Sequence, residues 1–415
     1  MNTVIVIDYG SPYTRLAARL LRDHGQFSRI ASGQTSVQDV LASKPAGIII
    51  GGTANMVGRH AETLVASGVP FLILGNTEPS PETIANFLHE AESERSWTPA
   101  AMTAHAEETA VRMVGDKRVM LGISGGVDST TLGVLLHRAI GNQLVGVFVD
   151  HGMLRYNEAA EVTAMLQGLG LQLEMVDASA EFFAALAGVT DPEEKRKIIG
   201  AKFIKVFTET AQRVQHTYGP VHFLGQGTLY SDVLESERVG GAVSVKSHHN
   251  VGGLPKQLGF ELLEPFRKLF KDEVRAVATE LGIPAHISDR HPFPGPGLAI
   301  RIIGEVTPEK VRILQQVDHI FIEGLREHGL YHDTWQALAI LTPIRSVGVT
   351  NNQRTYGFTA ALRAVSSSDA MNATFTRLPY DFLAEISERI TSEVPEVNRV
   401  VFDITNKPPG TIEWE

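Results

Sequence analysis

A glycine-rich loop between a strand and a helix is the feature of this sequence that points most directly to chemistry. Residues 118–123 predict a buried strand, residues 130–139 predict a helix, and the loop between them reads Ser124-Gly125-Gly126-Val127-Asp128-Ser129. Its N–H groups can converge on an oxyanion, because glycine permits close approach and the helix dipole favours negative charge. The loop is not of the Walker A form, since no Gly-Lys-Ser/Thr closes it. A Gly-Gly pair alone is also typical of an ordinary turn, but the complete string favours a phosphate site.

Composition limits the classes of protein to which the chain can belong. A length of 415 residues predicts two or three domains, and 43% hydrophobic with 20% charged residues is ordinary for a globular protein. There is no run of 18 apolar residues and no basic leader, so we expect a cytoplasmic protein without a membrane span or secretory signal. The net charge of −10 argues against a nucleic-acid partner. The absence of cysteine excludes disulfides, thiolate metal sites and a cysteine nucleophile.

The first part of the chain is predicted to be a small α/β layer. Three apolar runs that end in turn residues indicate parallel strands: 3–8, 46–52 and 69–75. We assign this layer to residues 1–80. Residues 79–100 are rich in Pro, Ser and Glu, which predicts a linker, and we assign residues 81–100 to it.

The rest of the chain is predicted to hold the glycine loop in a larger α/β domain. Strands and helices alternate through residues 101–293, as in a doubly wound parallel sheet that binds ligands at the carboxyl ends of its strands. A Pro/Gly cluster at 291–297 interrupts this alternation. Residues 294–415 are predicted to form a separate α+β domain.

Several motifs beyond the loop narrow the interpretation to one family. The Ser-Gly-Gly-Val-Asp-Ser string resembles the signature of ATP pyrophosphatases, which cleave ATP between the α and β phosphates. Residues 97–415 resemble the GMP synthetase family through these segments: 147–155, 188–193, 197–200, 226–228, 246–255, 291–301 and 403–415. The resemblance implies that ATP adenylates O2 of the xanthine ring of XMP and that ammonia then displaces AMP, giving GMP.

The resemblance also assigns residues to ATP. They are Ser124, Gly125, Gly126, Val127, Asp128, Ser129, Thr130, Val149, Gln226 and Gly227. The loop would hold the departing pyrophosphate, with Mg²⁺ neutralising its charge. Asp128 is a candidate metal ligand, although capping of the following helix is an equal alternative. The role of Asp150 is open: it could contact the ribose or a metal, or it could be a turn residue.

A second group of residues is assigned to the adenylation step. It consists of Asp232, Glu235, Lys246, His248 and His249. Asp232 and Glu235 are three apart, which places both carboxylates on one side of a helical turn. Lys246 belongs to a segment that resembles the family's mobile lid and would meet developing phosphate charge. The histidines alone would be interpreted as surface residues or a pH-sensitive structural pair. Ser231 stands where the family usually has Pro, which would loosen this loop.

The XMP site is expected in the last domain. By resemblance its residues are Gln336, Arg399, Lys407, Thr411, Ile412 and Glu413. Arg399 and Lys407 would supply local positive charge in an acidic protein. Glu413 can accept a hydrogen bond from a ring N–H or a sugar hydroxyl. The resemblance implies a homodimer made through this domain.

The opening of the chain, Val4–Thr14, resembles a glutamine amidotransferase domain that has lost its nucleophile. Such a domain is nearly twice as long and uses a cysteine on a Gly-x-Cys-x-Gly elbow. Here Thr77 stands near the place of the nucleophile and Pro79 near that of the second glycine, and only about 20 residues separate Glu78 from Trp97. We therefore expect no intrinsic glutaminase activity, and ammonia that is free or comes from a separate glutaminase subunit.

Two other functions remain open at this point. A paralogue could aminate a different purine-like nucleotide, although the presence of Gln336, Arg399, Lys407 and Glu413 favours XMP. A nucleotide sensor could bind ATP or XMP without turnover, although the intact phosphate loop favours an enzyme.

Overall fold

The computed structural model describes residues 2–52, 61–238, 259–350, 352–367 and 372–415. Contacts between Cα atoms divide the chain into two units, Met1–His105 and Ala106–Glu415. We call them unit 1 and unit 2.

Unit 1 is built on a four-stranded parallel sheet in the order β2-β1-β3-β4. The strands are β1 (Val4–Tyr9), β2 (Ser28–Ser32), β3 (Gly47–Gly52) and β4 (Phe71–Gly75). The helices are α1 (Thr14–Asp23), α2 (Val37–Ala42), α3 (Ala61–Ser67) and α4 (Pro81–Glu90). Alternate strand residues point to opposite faces, so Val4 and Val6 pack with α1 and α4, while Ile5 and Ile7 pack with α2 and α3. Both faces of this parallel sheet are therefore covered.

Part of the segment expected to be a linker is a packed helix. Ile84, Phe87 and Leu88 of α4 are buried against the sheet. The side chain of Ser80 caps this helix by accepting a hydrogen bond from the Thr83 N–H at 3.1 Å, and Pro81 occupies the first turn. The Ser and Pro that suggested a linker are thus the start signal of a helix.

Unit 2 begins with a five-stranded parallel sheet in the order β7-β6-β5-β8-β9. The strands are β5 (Val119–Gly122), β6 (Leu144–Asp150), β7 (Leu173–Asp177), β8 (Phe223–Gly225) and β9 (Glu261–Leu263). Helix α5 (Pro99–Val114) spans the division between the two units. The other helices of this region are α6 (Val127–Ile140), α7 (Glu158–Gly168), α8 (Ser179–Leu186), α9 (Pro192–Tyr218), α10 (Tyr230–Arg238), α11 (Lys271–Glu280) and α12 (Ala285–Ser288). The predicted doubly wound parallel sheet is confirmed.

A second sheet follows a 3₁₀ helix at Gly297–Arg301. It contains β10 (Gln336–Thr350), β11 (Gln353–Ser366), β12 (Thr374–Phe375) and β13 (Val397–Phe402). Strand β11 pairs antiparallel with β10 and β12 and parallel with β13. Helices α13 (Pro308–Glu327) and α14 (Tyr380–Glu393) pack on one face. The predicted α+β character of this region is confirmed.

One hydrophobic core runs across the boundary that the sequence suggested at 293/294. It includes Met153, Phe182 and Ile199 from the parallel-sheet region together with Phe321 and Leu341 from the later region. The two regions therefore share buried apolar surface within unit 2. Among the described helices, none combines the length and apolar character needed to cross a membrane.

The crossing of α13 and α14 depends on a glycine, which makes a testable prediction. A Cβ on Gly324 would overlap the Cδ1 of buried Ile386. We expect Gly324→Ala to destabilise unit 2 by about 1–3 kcal/mol, because overpacking outweighs the better helix propensity of alanine. Urea unfolding would measure the loss.

A second substitution identifies the cause. Ile386→Val in the Gly324→Ala background removes the Cδ1 atom, so part of the lost stability should return. Gly168→Ala on α7 is the matched control, because a Cβ there meets nothing within 4 Å. Equal losses at Gly324 and Gly168 would contradict the steric explanation.

Candidate active site

The glycine loop is held in one conformation by its own serines. Gly125 has φ +78°, and a Cβ there would lie 3.0 Å from Val162 Cγ2. Both the backbone conformation and the close neighbour therefore disfavour a side chain at this position. The Ser124 N–H donates to Ser129 Oγ at 3.1 Å, and the two hydroxyl oxygens lie 3.0 Å apart. Ser129 Oγ also donates to the Gly126 carbonyl at 3.2 Å. These hydrogen bonds define the conformation of the loop.

The helix that follows the loop begins without a capping side chain. Its N-cap is Gly126, and no described side chain accepts a hydrogen bond from the first turn there. The N–H groups of this turn and the helix dipole thus favour an anion at the position that the sequence predicted.

Asp128 lies in the first turn of α6 and is paired across the site rather than used as the cap. Its Oδ2 lies 3.1 Å from Lys271 Nζ at the start of α11. Its Oδ1 is buried and has no hydrogen-bond partner among the described residues. The alternative role as the helix-capping residue is therefore not the arrangement found.

The orphaned Asp128 oxygen is an observation against which the expected magnesium can be tested. Mg²⁺ is usually bound through one or two carboxylates together with substrate phosphate oxygens and water. The described residues contain no group of three or more His, Asp or Glu side chains arranged to hold a metal. One free carboxylate oxygen beside a phosphate loop fits a metal that shares its ligands with the nucleotide.

The ends of neighbouring strands approach the loop. A Cβ on Gly227, just after β8, would lie 3.5 Å from Asp128 Cβ. Gln226 Oε1 is buried without a hydrogen-bond partner in the described part of the chain. Val149, at the end of β6, is partly buried against the core. These positions agree with the rule that ligands bind at the carboxyl ends of parallel strands.

Two aspartates have local backbone roles. Asp150 Oδ1 accepts a hydrogen bond from the Gly152 N–H at 2.8 Å, which is the turn role considered for it. Asp232 Oδ2 accepts from the Leu229 N–H at 3.0 Å at the start of α10. Glu235 follows on α10, but its side chain is not among the described ones. Lys246, His248 and His249 lie outside the described residues. The adenylation group stays a prediction.

The residues predicted for XMP converge in part. Arg301 is fully buried, and its Nε and Nη2 each lie 2.9 Å from one oxygen of Glu413. Gln336 Nε2 donates to Glu413 Oε1 at 2.9 Å. Although burial alone acts to lower it, the pKa of Arg301 is raised because Glu413 stabilises the charged guanidinium. The Glu413 carboxylate is therefore fixed in position by two side chains.

The backbone before Glu413 is fixed by a second buried arginine. Arg363 Nε donates to the Ile412 carbonyl at 3.0 Å, and its Nη2 donates to the Thr411 carbonyl at 2.9 Å. Its Nη1 lies 2.6 Å from Asp403 Oδ2. The side chain of Ile412 packs in a small core with Leu338.

The two predicted phosphate-binding cations are placed differently. Lys407 exchanges backbone hydrogen bonds with Ala373, at 2.7 and 3.0 Å. Arg399 is exposed, and its Nε donates to Ser346 Oγ at 3.1 Å. Its partner on β11, Thr359, is six residues from the partner of Gln336, about 20 Å along the strand. The structure does not bring Arg399 into the cluster around Glu413.

Sequence reasoning missed three cations that lie near the glycine loop or near the Glu413 cluster. They are Lys271, Arg155 and Arg301. Arg155 Nη2 donates to the Ala337 carbonyl at 3.4 Å, and its Nε lies 3.5 Å from Asp318 Oδ2. Arg155 and Arg301 each end a segment that carried the resemblance, which was the available signal. Lys271 belongs to none of those segments, and only the fold shows its proximity to Asp128.

Two buried histidines, His151 and His291, lie where the loop after β6 meets the Pro/Gly cluster at 291–297. Burial lowers the pKa of His151 and of His291 to about 4 each, so both are neutral at pH 7. His291 stacks on Tyr331 with ring centroids 3.9 Å apart, and its Nδ1 accepts from the Ala337 N–H at 3.1 Å. A Cβ on Gly297 would overlap the Met153 carbonyl oxygen. These contacts are structural.

Comparison with known proteins matches two parts of the chain to family models. Residues 102–202 match the model described as NAD synthase. Residues 323–414 match the model described as GMP synthase C terminal domain.

Relatives extend the match over almost the whole chain. A glutamine-hydrolyzing GMP synthase of Thermus thermophilus is 42% identical over 507 residues, which covers 99% of this chain and 100% of the relative. That of Aquifex aeolicus is 41% identical over 509 residues, covering 99% of each. This chain belongs to the GMP synthase family. It is an ATP-dependent carbon–nitrogen ligase of purine biosynthesis, and the resemblance deduced from its motifs is confirmed.

The chain has fewer residues than these alignments. Because the Thermus alignment has 507 positions and the chain has 415 residues, at least 92 positions hold no residue of this chain. The GMP synthase of Symbiobacterium thermophilum is 47% identical over 419 residues, which covers 98% of this chain but 80% of the relative. About a fifth of each of these relatives has no counterpart here.

Proposed function

We propose that the protein makes GMP from XMP in two steps that use ammonia. ATP first adenylates O2 of XMP and releases pyrophosphate; ammonia then attacks C2, and AMP leaves with the oxygen. The observation that carries the proposal is the presence, in one unit, of a hydrogen-bonded glycine loop at the start of a helix and of a fixed Arg301–Glu413–Gln336 cluster.

The loop would stabilise the departing pyrophosphate. The start of α6, where the N-cap residue Gly126 has no capping side chain, supplies fixed dipoles, and Lys271 supplies a positive charge at the same place. Bound Mg²⁺ would neutralise phosphate charge, and the free oxygen of Asp128 is the group that would hold it. Ser124 and Ser129 keep the loop from collapsing.

The second cluster would orient the acceptor nucleotide. Glu413 is an acceptor for a ring N–H or a sugar hydroxyl, and Arg301 and Gln336 keep its carboxylate from rotating. Arg155 and Lys407 are further cations proposed for the phosphate of XMP. Arg399 remains a candidate for the same phosphate, but it would have to leave its contact with Ser346 Oγ to reach the Glu413 cluster.

We further propose that the protein cannot hydrolyse glutamine by itself. The chain has no cysteine, and Thr77, which stands near the place of the nucleophile, donates its N–H to the Leu74 carbonyl in the turn after β4. About a fifth of each glutamine-hydrolyzing relative compared above has no counterpart in this chain. Ammonia would therefore be free or be delivered by a separate glutaminase.

A product assay tests this function. With ATP, Mg²⁺, XMP and ammonium we expect GMP, AMP and pyrophosphate in equal amounts. With glutamine in place of ammonium we expect no GMP, because the chain lacks a thiol nucleophile. GMP formed from glutamine without a second protein would refute the ammonia dependence. If AMP forms with another purine nucleotide but not with XMP, that nucleotide is the acceptor and the proposed substrate is wrong.

The loop assignment makes a second prediction for the same reaction. Lys271→Met and Asp128→Asn should each lower kcat/KM by about 100-fold, since the first removes a positive charge beside the phosphates and the second removes the carboxylate charge that would hold Mg²⁺. Lys205→Met is the control, because Lys205 is exposed and pairs along α9 with Glu209 at 3.7 Å. If all three variants keep the rate of AMP formation, the loop assignment is wrong.

We also propose a homodimer made through the second sheet of unit 2. The distal part of the β10–β11 ribbon exposes Ile344, Val347, Val349 and Tyr356 by 59–71%. A cluster of exposed apolar side chains on neighbouring strands is typical of an interface. Light scattering should show a dimer that Val347→Asp/Val349→Asp converts to monomer, while Val65→Asp in unit 1, at a residue 68% exposed, leaves it intact. An intact dimer in the double variant would place the interface elsewhere.

A further inference from the structure

A lysine in the first turn of helix α9 is completely buried. The Nζ of Lys195 donates to the Ile302 carbonyl at 2.8 Å and to the Ala299 carbonyl at 3.3 Å, and it forms an ion pair with the carboxylate of Glu415. An ammonium has three N–H donors, and these contacts use all three. Burial lowers the pKa of Lys195, and Glu415 opposes this shift. Lysine is almost never fully buried without such partners.

Glu415 is held at more than this one point. Its Oε1 accepts from the Gly304 N–H at 3.2 Å, while its backbone carbonyl accepts from Arg196, the residue next to Lys195. Two consecutive residues of α9 thus hold both the side chain and the main chain of Glu415. Its side chain is 6% exposed as a result.

The contacts of Lys195 lie on both sides of the Arg301–Glu413 pair. Ala299 and Ile302 flank Arg301 in sequence, and Glu415 is two residues beyond Glu413. A single ammonium therefore ties the backbone that carries the guanidinium to the segment that carries the carboxylate. Neither the family match nor the predicted site residues assign a role to Lys195.

We propose that Lys195 is a positioning residue for the XMP site, which rests on the function proposed above. By holding the carbonyls of Ala299 and Ile302 and the carboxylate of Glu415, it fixes where Glu413 lies relative to Arg301. A buried ion pair adds little net stability compared with apolar residues of similar volume, so its main effect is on geometry. Lys195 itself does not touch the reacting atoms.

The variant Lys195→Met tests the positioning role by separating the two substrates. We expect the KM for XMP to rise about tenfold, because a displaced acceptor site binds and orients XMP poorly, while the KM for ATP changes less than about twofold. Lys202→Met is the matched control. It removes a lysine from the same helix together with its pair to Glu181 at 3.3 Å. An unchanged KM for XMP in folded Lys195→Met protein overturns the proposal.

Hydrogen exchange gives a readout that does not depend on the reaction. In the full-length protein without nucleotide, Lys195→Met should speed exchange of the Ile303 and Gly304 amides at least tenfold, because these amides donate to the Leu341 carbonyl and to Glu415 Oε1, and Lys202→Met should not. Unchanged exchange overturns the proposal even if GMP is made. If the wild type fails to use XMP but Lys195→Met speeds this exchange, the proposed function fails and the contact is structural only.

A milder variant covers the case in which Lys195→Met does not fold. Glu415→Gln keeps the shape of the side chain and removes only its charge, so we expect a smaller rise, about threefold, in the KM for XMP. No rise in the KM for XMP for Glu415→Gln would then overturn the proposal.

Discussion

The ion pair between Arg301 and Glu413 is the constraint on which much of unit 2 depends. A fully buried guanidinium must be neutralised and hydrogen-bonded, and Glu413 provides both in a bidentate contact. The two residues are 112 positions apart, so the last segment of the chain must return to the 3₁₀ helix that follows the parallel sheet. Arg363 and Lys195 then fasten the residues on either side of Glu413. Residues 323–414, which match the GMP synthase C terminal domain, are thus joined through Glu413 to the 3₁₀ helix that precedes them.

Three cations near the candidate sites are each held by a carboxylate, in a protein whose net charge is −10. Lys271 lies beside Asp128, Arg155 beside Asp318, and Arg301 beside Glu413. In each pair the carboxylate fixes where the cation lies. Lys271 is half-exposed, so it can meet an anion with little reorganisation, whereas the buried Arg301 acts through the position of Glu413. At the loop the arrangement leaves one Asp128 oxygen without a partner among the described residues, which is the group that a metal on the phosphates requires.

Local signals predicted much of the fold and the position of the glycine loop, and long-range contacts were the part that sequence could not supply. Apolar runs such as 118–123 indicated buried parallel strands, and the string from Ser124 to Ser129 predicted a loop between a strand and a helix, which is the arrangement found. The Ser80 and Pro81 pair was interpreted as linker because a helix start and a loop share the same residue types. Lys195 pairs with a residue 220 positions away, and nothing in the local pattern distinguishes it from a surface lysine.

Unit 1 is a parallel sheet whose apolar packing does not involve the turn through Thr77 that follows β4. One face is closed by α1 and α4 and the other by α2 and α3, with apolar residues of β1 and β3 buried on both. A sheet of three or more strands covered in this way can be stable by itself. None of these contacts requires a cysteine after β4, where the chain turns through Thr77 instead. The packing that maintains this unit is therefore independent of this turn, so the proposed lack of glutaminase activity requires no loss of the fold.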